Sequence, residues 1–586
     1  MQTRVIIYIR IEKNAFYERK RNLKKSKKSV FVLLSLCVVA LALFAFIPFY
    51  QEKLNDNDVS FYVVAESKGQ PSDELKIYPY YDGEGEKMYF FLPGNSESYE
   101  YKMFFGNAKE LKIGEVSFSP GDILDDSFLN YYGKKNTGLG ELEFDYELLD
   151  KKGEKVLGNV FFLTGGEVST MYLVSGKDSM EKVDGDSLHN ITATADYSVY
   201  DSLGAKETSG KLKISGHGNS TWTELMEEFP GQEFKRSYNI SFNEKKSILG
   251  MKSAGNYVLL SNFYDESELK NYLVLDMARR IGVDNVPDCE YVNLYINGEY
   301  RGLYLAAQKI KEGNGFLKIS SDGYLAKFDY EERVKTEGSV YAETEGLFAK
   351  IQYPSEPDQE RLAQIKEDIC KVEDSIKEGE EEFSDLADER SFIKYYLLQE
   401  FFENGDADRA SQYVYKNGMK DKLVAGPVWD FDLSMGHPWF SYGGNEANAL
   451  WIKGLVDESG WLRKLSDDEA FMEKTRMFYR NNFSEMVSYI EYHVLISVIE
   501  SIKDSYYMDM IRYENGPVYY DRYDYEMHGA QKYDLFSIAE DIQAWLCSRK
   551  SFWDDYADNP DQFEEEIQEP GENTRSIRKL ILMIKK

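Results

Sequence analysis

The chain has 586 residues, with 70 Lys and Arg against 102 Asp and Glu, a formal net charge of −32. Ten of the basic residues (Arg4, Arg10, Lys13, Arg19, Lys20, Arg21, Lys24, Lys25, Lys27 and Lys28) precede residue 29, with only Glu12 and Glu18 among them, so 60 basic and 100 acidic residues remain beyond it, a net charge near −40. A polyanion of this kind repels nucleic acid, which excludes DNA and RNA as partners and leaves basic partners, cations or a cationic substrate. The four cysteines, Cys37, Cys289, Cys370 and Cys547, are too widely spaced for a zinc pattern or a disulfide framework, and five histidines argue against a His-rich metal centre.

In chain order, residues 1–28 form the basic tail. Residues 29–50 are an apolar segment, with Val30 to Tyr50 broken only by Ser35 and Pro48. At about 1.5 Å per residue this run spans a hydrocarbon core of about 30 Å. The positive flank predicts a single-pass cell-membrane anchor, with the N-terminus cytoplasmic and the main domains extracytoplasmic. A cleaved signal peptide is the alternative; the run is long for one, and no Ala-x-Ala site follows.

Residues 51–185 predict a β-rich, sandwich-like domain. Short alternating strands at 60–65, 76–80, 87–92, 99–105, 141–149 and 169–174 are separated by Gly, Asn and Asp clusters. No catalytic cluster falls there, so binding or spacing is its natural role.

Residues 186–558 are mixed. Strands are predicted at 191–200, 210–215 and 238–242, and a helix over 266–281 with Asp265 as N-cap. Strands 291–296 and 300–305 flank Asn297-Gly298, a strong hairpin signal. Helices are expected across 358–382, 388–404, 469–504 and 539–555. Strands first and helices later define an α+β or two-lobed α/β domain. Residues 559–586 begin as an acidic linker. They end in a basic, apolar tail, Arg575–Lys586, suited to a membrane surface or to docking on the acidic body.

Four clusters carry chemistry. In Gly426-Pro427-Val428-Trp429-Asp430-Phe431-Asp432-Leu433 two acids alternate with large apolar residues. On an extended strand Asp430 and Asp432 would share one face and offer oxygen ligands to Mg²⁺; a solvated strand end is the alternative. In Gly216-His217-Gly218-Asn219-Ser220 two glycines permit a tight turn whose amides could cradle phosphate, or an ordinary turn. Lys235 and Arg236 open a strand inside an acidic domain, as a phosphate clamp or a surface ion pair. Asp406 and Asp408 lie at a helix end, as a proton acceptor or an Asp-rich turn. Their order supplies the parts that phosphoryl transfer needs: cradle, clamp, base and metal ligands.

These residues resemble the CotH family, the spore-coat-protein-H-like atypical protein kinases. The matching text is Gly218-Asn219-Ser220-Thr221-Trp222, Lys235-Arg236-Ser237-Tyr238, Leu249-Gly250, Asp265-Glu266-Ser267 with Lys270-Asn271, Tyr295 to Tyr304, Gly405 to Arg409, and Pro427 to Gly436, spread in order over residues 190–558. The resemblance implies a divergent two-lobed protein-kinase-like domain, here preceded by the β-sandwich-like domain and the transmembrane helix. It implies ATP and Mg²⁺, with Mn²⁺ as a substitute, and transfer of the γ-phosphate to Ser or Thr of a surface or spore-coat-type protein. By position, Gly216, Gly218, Asn219, Ser220, Lys235 and Arg236 would bind nucleotide. Asp406, with Asp408 the lesser candidate, would be the base, and Asp430 and Asp432 the metal ligands. Two positions depart from the family: His217 replaces the usual Arg before Gly218, a cation that is mostly neutral at pH 7, and Gln308 replaces an acid after the second hairpin strand. A surface binding or scaffolding protein that keeps the fold without catalysis, and a kinase acting on a glycan or wall polymer, are the competing readings. Scarcity of ATP outside a growing cell favours the scaffold; a spore compartment removes that objection.

Overall fold

The computed structural model describes residues 60–563, apart from 72, 83–86, 132–141, 232, 337–339, 345–346, 378–381, 408–409, 437–446, 455–459 and 514–534. The anchor expected at residues 29–50 and the linker and tail from 564 onward therefore lie outside the described residues. No helix among the described residues is long and apolar enough to cross a membrane. The chain divides into two compact units. One holds 61–104, 110–148 and 155–586; in the other, the described residues are 60, 105–109 and 149–154. In that second unit the Lys151 amide donates to the Asn107 carbonyl at 3.3 Å.

The N-terminal β-rich region forms two sheets. One orders Glu74–Ile77, Ser60–Ser67, Tyr99–Gly106 and Asp122–Ile123. The other is mixed: Lys155–Thr164 runs parallel to Lys87–Leu92 and to Leu129–Asn130. Parallel pairing is absent from the sandwich pattern that alternation suggested.

The central element is a closed seven-stranded barrel. Its strands are β1 (Thr170–Ser175), β2 (Ala193–Tyr200), β3 (Lys206–His217), β4 (Ser237–Lys246), β5 (Ala254–Leu260), β6 (Cys289–Ile296) and β7 (Glu299–Gln308). Neighbours pair antiparallel in the order β1-β2-β3-β4-β5-β7-β6, and the parallel β6–β1 pair closes the ring. Its interior is apolar, with Met171, Leu173, Ile214, Trp222, Tyr238, Ile240, Leu294 and Tyr304 among the buried residues. Asn297 (φ 54°) and Gly298 (φ 86°) make the two-residue β6–β7 turn, both left-handed as a type I′ hairpin requires. Helix α1 (Lys177–Asp184) lies between β1 and β2, and α2 (Lys270–Arg280) between β5 and β6. Leu269, not the expected Asp265, occupies the N-cap of α2. Asp265 serves that end from farther back, its carboxylate accepting from the Lys270 amide at 2.8 Å.

A second, five-stranded antiparallel sheet follows, ordered Tyr341–Glu343, Phe348–Tyr353, Tyr324–Asp329, Gln412–Lys416 and Val424–Ala425. Helices α3 (Gln359–Lys377) and α4 (Glu389–Phe401) accompany it. The Asp388 carboxylate caps α4 by accepting from the Ser391 amide. Every α4 residue from Phe392 to Phe401 is buried, as a helix apolar on most of its surface demands. The helix expected over 469–504 is interrupted by π-helical turns at Tyr479–Phe483 and Ile490–Val494 before α5 (Leu495–Tyr513). The last long helix among the described residues is α6 (Leu535–Asp558).

Candidate active site

Two loops carry the acids. After α4, Glu403 turns the chain at φ 49° and residues 404–407 form a turn. The second loop leaves the short strand Val424–Ala425. Pro427 has no amide to extend a ladder, and Gly426 (φ 119°) and Asp430 (φ 71°) are left-handed. The strand expected to place Asp430 and Asp432 on one face is thus absent; Asp430 lies in irregular loop and Asp432 in the turn that follows. Cross-bonds join the loops. The Asn404 Nδ2 donates to the Asp430 carbonyl at 3.1 Å, the Gly405 amide to the Leu433 carbonyl at 3.0 Å, and the Met435 amide to the Phe402 carbonyl at 2.7 Å. The Ser411 hydroxyl donates to the Asp430 carboxylate at 2.6 Å.

The acids sense one another across this junction. Burial and then Asp430 push Asp406 up to about 6. Burial pushes Asp432 well above the carboxylate range, followed by Asp430, Asp406 and Asp265, with Lys270 opposing. Among the described residues no three His, Cys, Asp or Glu lie together closely enough to cage a metal ion. Asp408 lies outside the described residues.

Cations surround the acids. Lys327 Nζ is 2.9 Å from Asp329, and Arg333 reaches Glu224 at 3.1 Å and Asp329 at 3.6 Å. Burial works against the Lys327 ammonium, but Tyr413, Asp329 and Asp430 hold it above its ordinary range. Lys270 is buried, and burial pulls it down against the pull of Asp265, Asp432 and Glu266.

The glycine turn is a packing device. A Cβ on Gly216 would lie 2.6 Å from His189 and 2.8 Å from Trp222, and one on Gly218 (φ 104°) would lie 2.4 Å from Thr221 Oγ1. Asn219–Glu224 is helical, and the Ser220 carbonyl accepts from the Tyr264 hydroxyl at 3.2 Å. His217 is pushed well below its ordinary range by burial and then by Lys309 and Lys327, so it is neutral at pH 7. Lys309 is pulled down to about 8 by burial and by Lys311 and Lys350, and it donates to Asn239 at 2.7 Å. Asn239 in turn donates to the Gly216 carbonyl at 2.6 Å.

Lys235 and Arg236 separate. Lys235 is fully buried, with Nζ 2.6 Å from Glu268 and 2.9 Å from Asp509. Burial opposes its charge, but the two carboxylates raise it above its ordinary value. Burial pushes Glu268 above its ordinary value, with Lys235 pulling it down and Asp509 up. Both charges needed to hold Lys235 are thus present. Gln308 is elsewhere, accepting from the Asp288 amide at 3.0 Å and donating to the Lys252 carbonyl at 2.8 Å. Arg236 lies 4.0 Å over the Phe234 ring and 5.6 Å over Trp222, and its buried Nε has no hydrogen-bond partner among the described residues.

The structure thus gathers Asp406, Asp430 and Asp432, with Asp265 and Lys270 beside them, and commits Lys235 to an internal ion pair. Sequence reasoning quoted Lys270 without giving it a role, and missed Lys309, Lys327, Asp329, Arg333, Glu268 and Asp509. Lys327-Phe328-Asp329 had a usable signal, since two opposite charges flanking one buried aromatic on a strand share a face.

The chain combines a closed barrel, a helix-backed second sheet and a group of acids on two cross-bonded loops. The family model described as CotH kinase protein matches residues 214–506, half of the chain, which belongs to the CotH family. No curated protein matches.

Proposed function

We propose that the protein is a membrane-anchored phosphotransferase that passes the γ-phosphoryl group of ATP to a Ser or Thr hydroxyl of a surface or spore-coat-type protein, with residues 29–50 as the anchor and the main domains outside. The supporting observation is the upward pressure that Asp430 adds to burial at Asp406 and Asp432, on two cross-bonded loops. Gathered carboxylates are costly until a proton or a cation neutralises them. Hard oxygen donors fit Mg²⁺, which binds through one or two carboxylates and fills its remaining positions with water and substrate phosphates. A protein-only cage is therefore not required.

Asp430 and Asp432 would hold the metal, which when bound neutralises charge on the triphosphate. Asp406, held at about 6, is ionised at neutral pH and basic enough to take the proton of the acceptor hydroxyl. Phosphate contacts fall to the half-buried Arg236 and to Lys309 beside the neutral His217. Lys235 serves by holding Glu268, an arrangement analogous to the Lys–Glu pair of protein kinases.

The test uses the full chain in detergent with Mg²⁺ or Mn²⁺ and labelled ATP, beside Asp430→Asn and Asp406→Asn. Label incorporation that disappears in both variants supports the reading. Equal labelling in all three, or no labelling together with no nucleotide-dependent thermal shift, overturns it in favour of a scaffold. Acceptor screening separates protein from glycan.

A further inference from the structure

A chain of buried hydrogen bonds runs from the Lys235 ion pair to the acidic loop. Lys235 Nζ donates to Glu268 Oε1 at 2.6 Å, and Asn262 Nδ2 donates to Glu268 Oε2 at 3.0 Å. Asn271 Nδ2 donates to Asn262 Oδ1 at 3.1 Å, and the Phe431 amide donates to Asn271 Oδ1 at 2.7 Å. Phe431 lies between Asp430 and Asp432. Lys235, Asn262, Glu268, Asn271 and Phe431 are all buried, so no water competes for these bonds.

The direction of the chain is fixed at both ends. A backbone N–H can only donate, so Asn271 must turn its oxygen to Phe431 and its amide nitrogen to Asn262. Asn262 must then accept from Asn271 and donate to Glu268. At the far end both Glu268 oxygens accept, one from Asn262 and one from an ammonium. Neither asparagine can turn over without setting donor against donor. Asn262 (φ 44°) and Glu268 (φ 62°) are held in left-handed backbone, which for residues other than glycine persists where surrounding contacts enforce it.

We infer that Asn262 and Asn271 are positioning residues that tie the Asp430–Asp432 loop to the Lys235–Glu268 ion pair, so that the acids are held in place only while that pair is intact. Their role in metal binding rests on the function proposed above; the mechanical tie does not. Neither asparagine touches the reacting atoms. Asn271 acts through the Phe431 amide, and Asn262 through Asn271.

Glu268→Gln is the informative substitution. It keeps the side-chain volume and leaves Asp509 2.9 Å from Lys235, so the lysine keeps a carboxyl partner and the fold is retained. Its carboxamide cannot accept from both Lys235 and Asn262. With its oxygen toward Lys235, restoring the chain would require turning over both asparagines, which places Asn271 Nδ2 against the Phe431 N–H; with its oxygen toward Asn262, its NH2 faces the ammonium and the contact to Lys235 is lost. Asn271→Leu removes the final acceptor directly.

The full chain in detergent is compared with both variants by two measurements. Amide hydrogen exchange of the peptide spanning 428–433 reads the tie without metal. Titration with Mn²⁺ alone reads its consequence. The expected result is exchange at least tenfold faster in that peptide for both variants, with unchanged protection in α4. Mn²⁺ affinity should fall by about 10- to 100-fold, the usual effect of losing a group that orients metal ligands. Unchanged exchange in Asn271→Leu overturns the tie, and unchanged exchange in Glu268→Gln alone overturns its dependence on the ion pair. Faster exchange in a protein whose wild type binds no Mn²⁺ supports the tie and overturns the metal assignment. Faster exchange with Mn²⁺ affinity within twofold of wild type overturns the claim that the tie holds the acids in place.

Discussion

Lys235 has one positive charge and two carboxylate neighbours, all without solvent contact. Removing one partner of a buried ion pair costs about 3–5 kcal/mol because the other charge is left uncompensated. Lys235→Met should lower the urea midpoint by that measure, and adding Asp509→Asn should restore part of the loss. Asp406 makes a pH prediction. Its carboxyl is held at about 6, above the ordinary carboxylate value, so the folded protein takes up a proton that the unfolded chain releases. Its contribution to stability is therefore fully present in acid and is lost as pH rises through 6. A divalent cation competes with that proton, so the thermal shift produced by Mn²⁺ should be larger at pH 7.5 than at pH 5. As the proton acceptor, Asp406→Asn should reduce labelling from ATP by about 10²- to 10⁴-fold while the melting temperature at pH 7.5 holds or rises, since one of the crowded charges is gone. The acids and the lysine were legible in the sequence as residue types in order. What each lysine faces was not, because Glu268 and Asp509 lie 33 and 274 positions from Lys235.

Hairpin and helix were the elements most open to sequence reasoning. Asn297-Gly298 demands a two-residue turn wherever it sits between strands, and the Asp388 cap marks the start of α4 through a local bond. The Asp430 segment misled because alternation of apolar and acidic residues resembles a strand, whereas here buried Trp429 and Phe431 anchor a turn whose hydrogen bonds come from Asn271, Asn404 and Ser411. Distant side chains that satisfy a loop leave no periodic signal. Within the barrel, β7 passes so close to α5 that a Cβ on Gly302 (φ 118°) would meet Asp509 Oδ1 at 2.4 Å. Gly302→Ala should cost about 1–3 kcal/mol from backbone strain alone, read as a lowered melting temperature. α6 supports α4 through Arg549. Its Nε donates to the Phe401 carbonyl at 3.0 Å, and Nη2 lies 2.8 Å from Glu400 with no solvent contact. Arg549→Lys cannot keep both bonds, since a planar fork becomes a point charge.

At the scale of the molecule, α5 joins regions far apart in sequence. Ser505 donates to the Gly165 carbonyl at 2.6 Å and accepts from Asn293 at 2.7 Å, while Tyr506 donates to the Glu266 carbonyl at 3.0 Å. Tyr295 of β6 donates to the Phe91 carbonyl at 3.2 Å. If residues 29–50 anchor the chain, alkaline carbonate should leave it in the membrane pellet and detergent should release it. The closed barrel has a practical corollary. β1 precedes the matched family region entirely, and that region begins at residue 214, near the end of β3. A gene fragment trimmed to the region by homology would discard two staves and most of a third. The remaining sheet would open along β4 and β6, offering unpaired amide ribbons to any neighbouring copy. Inclusion bodies from such a fragment would report the missing staves rather than an unstable native protein.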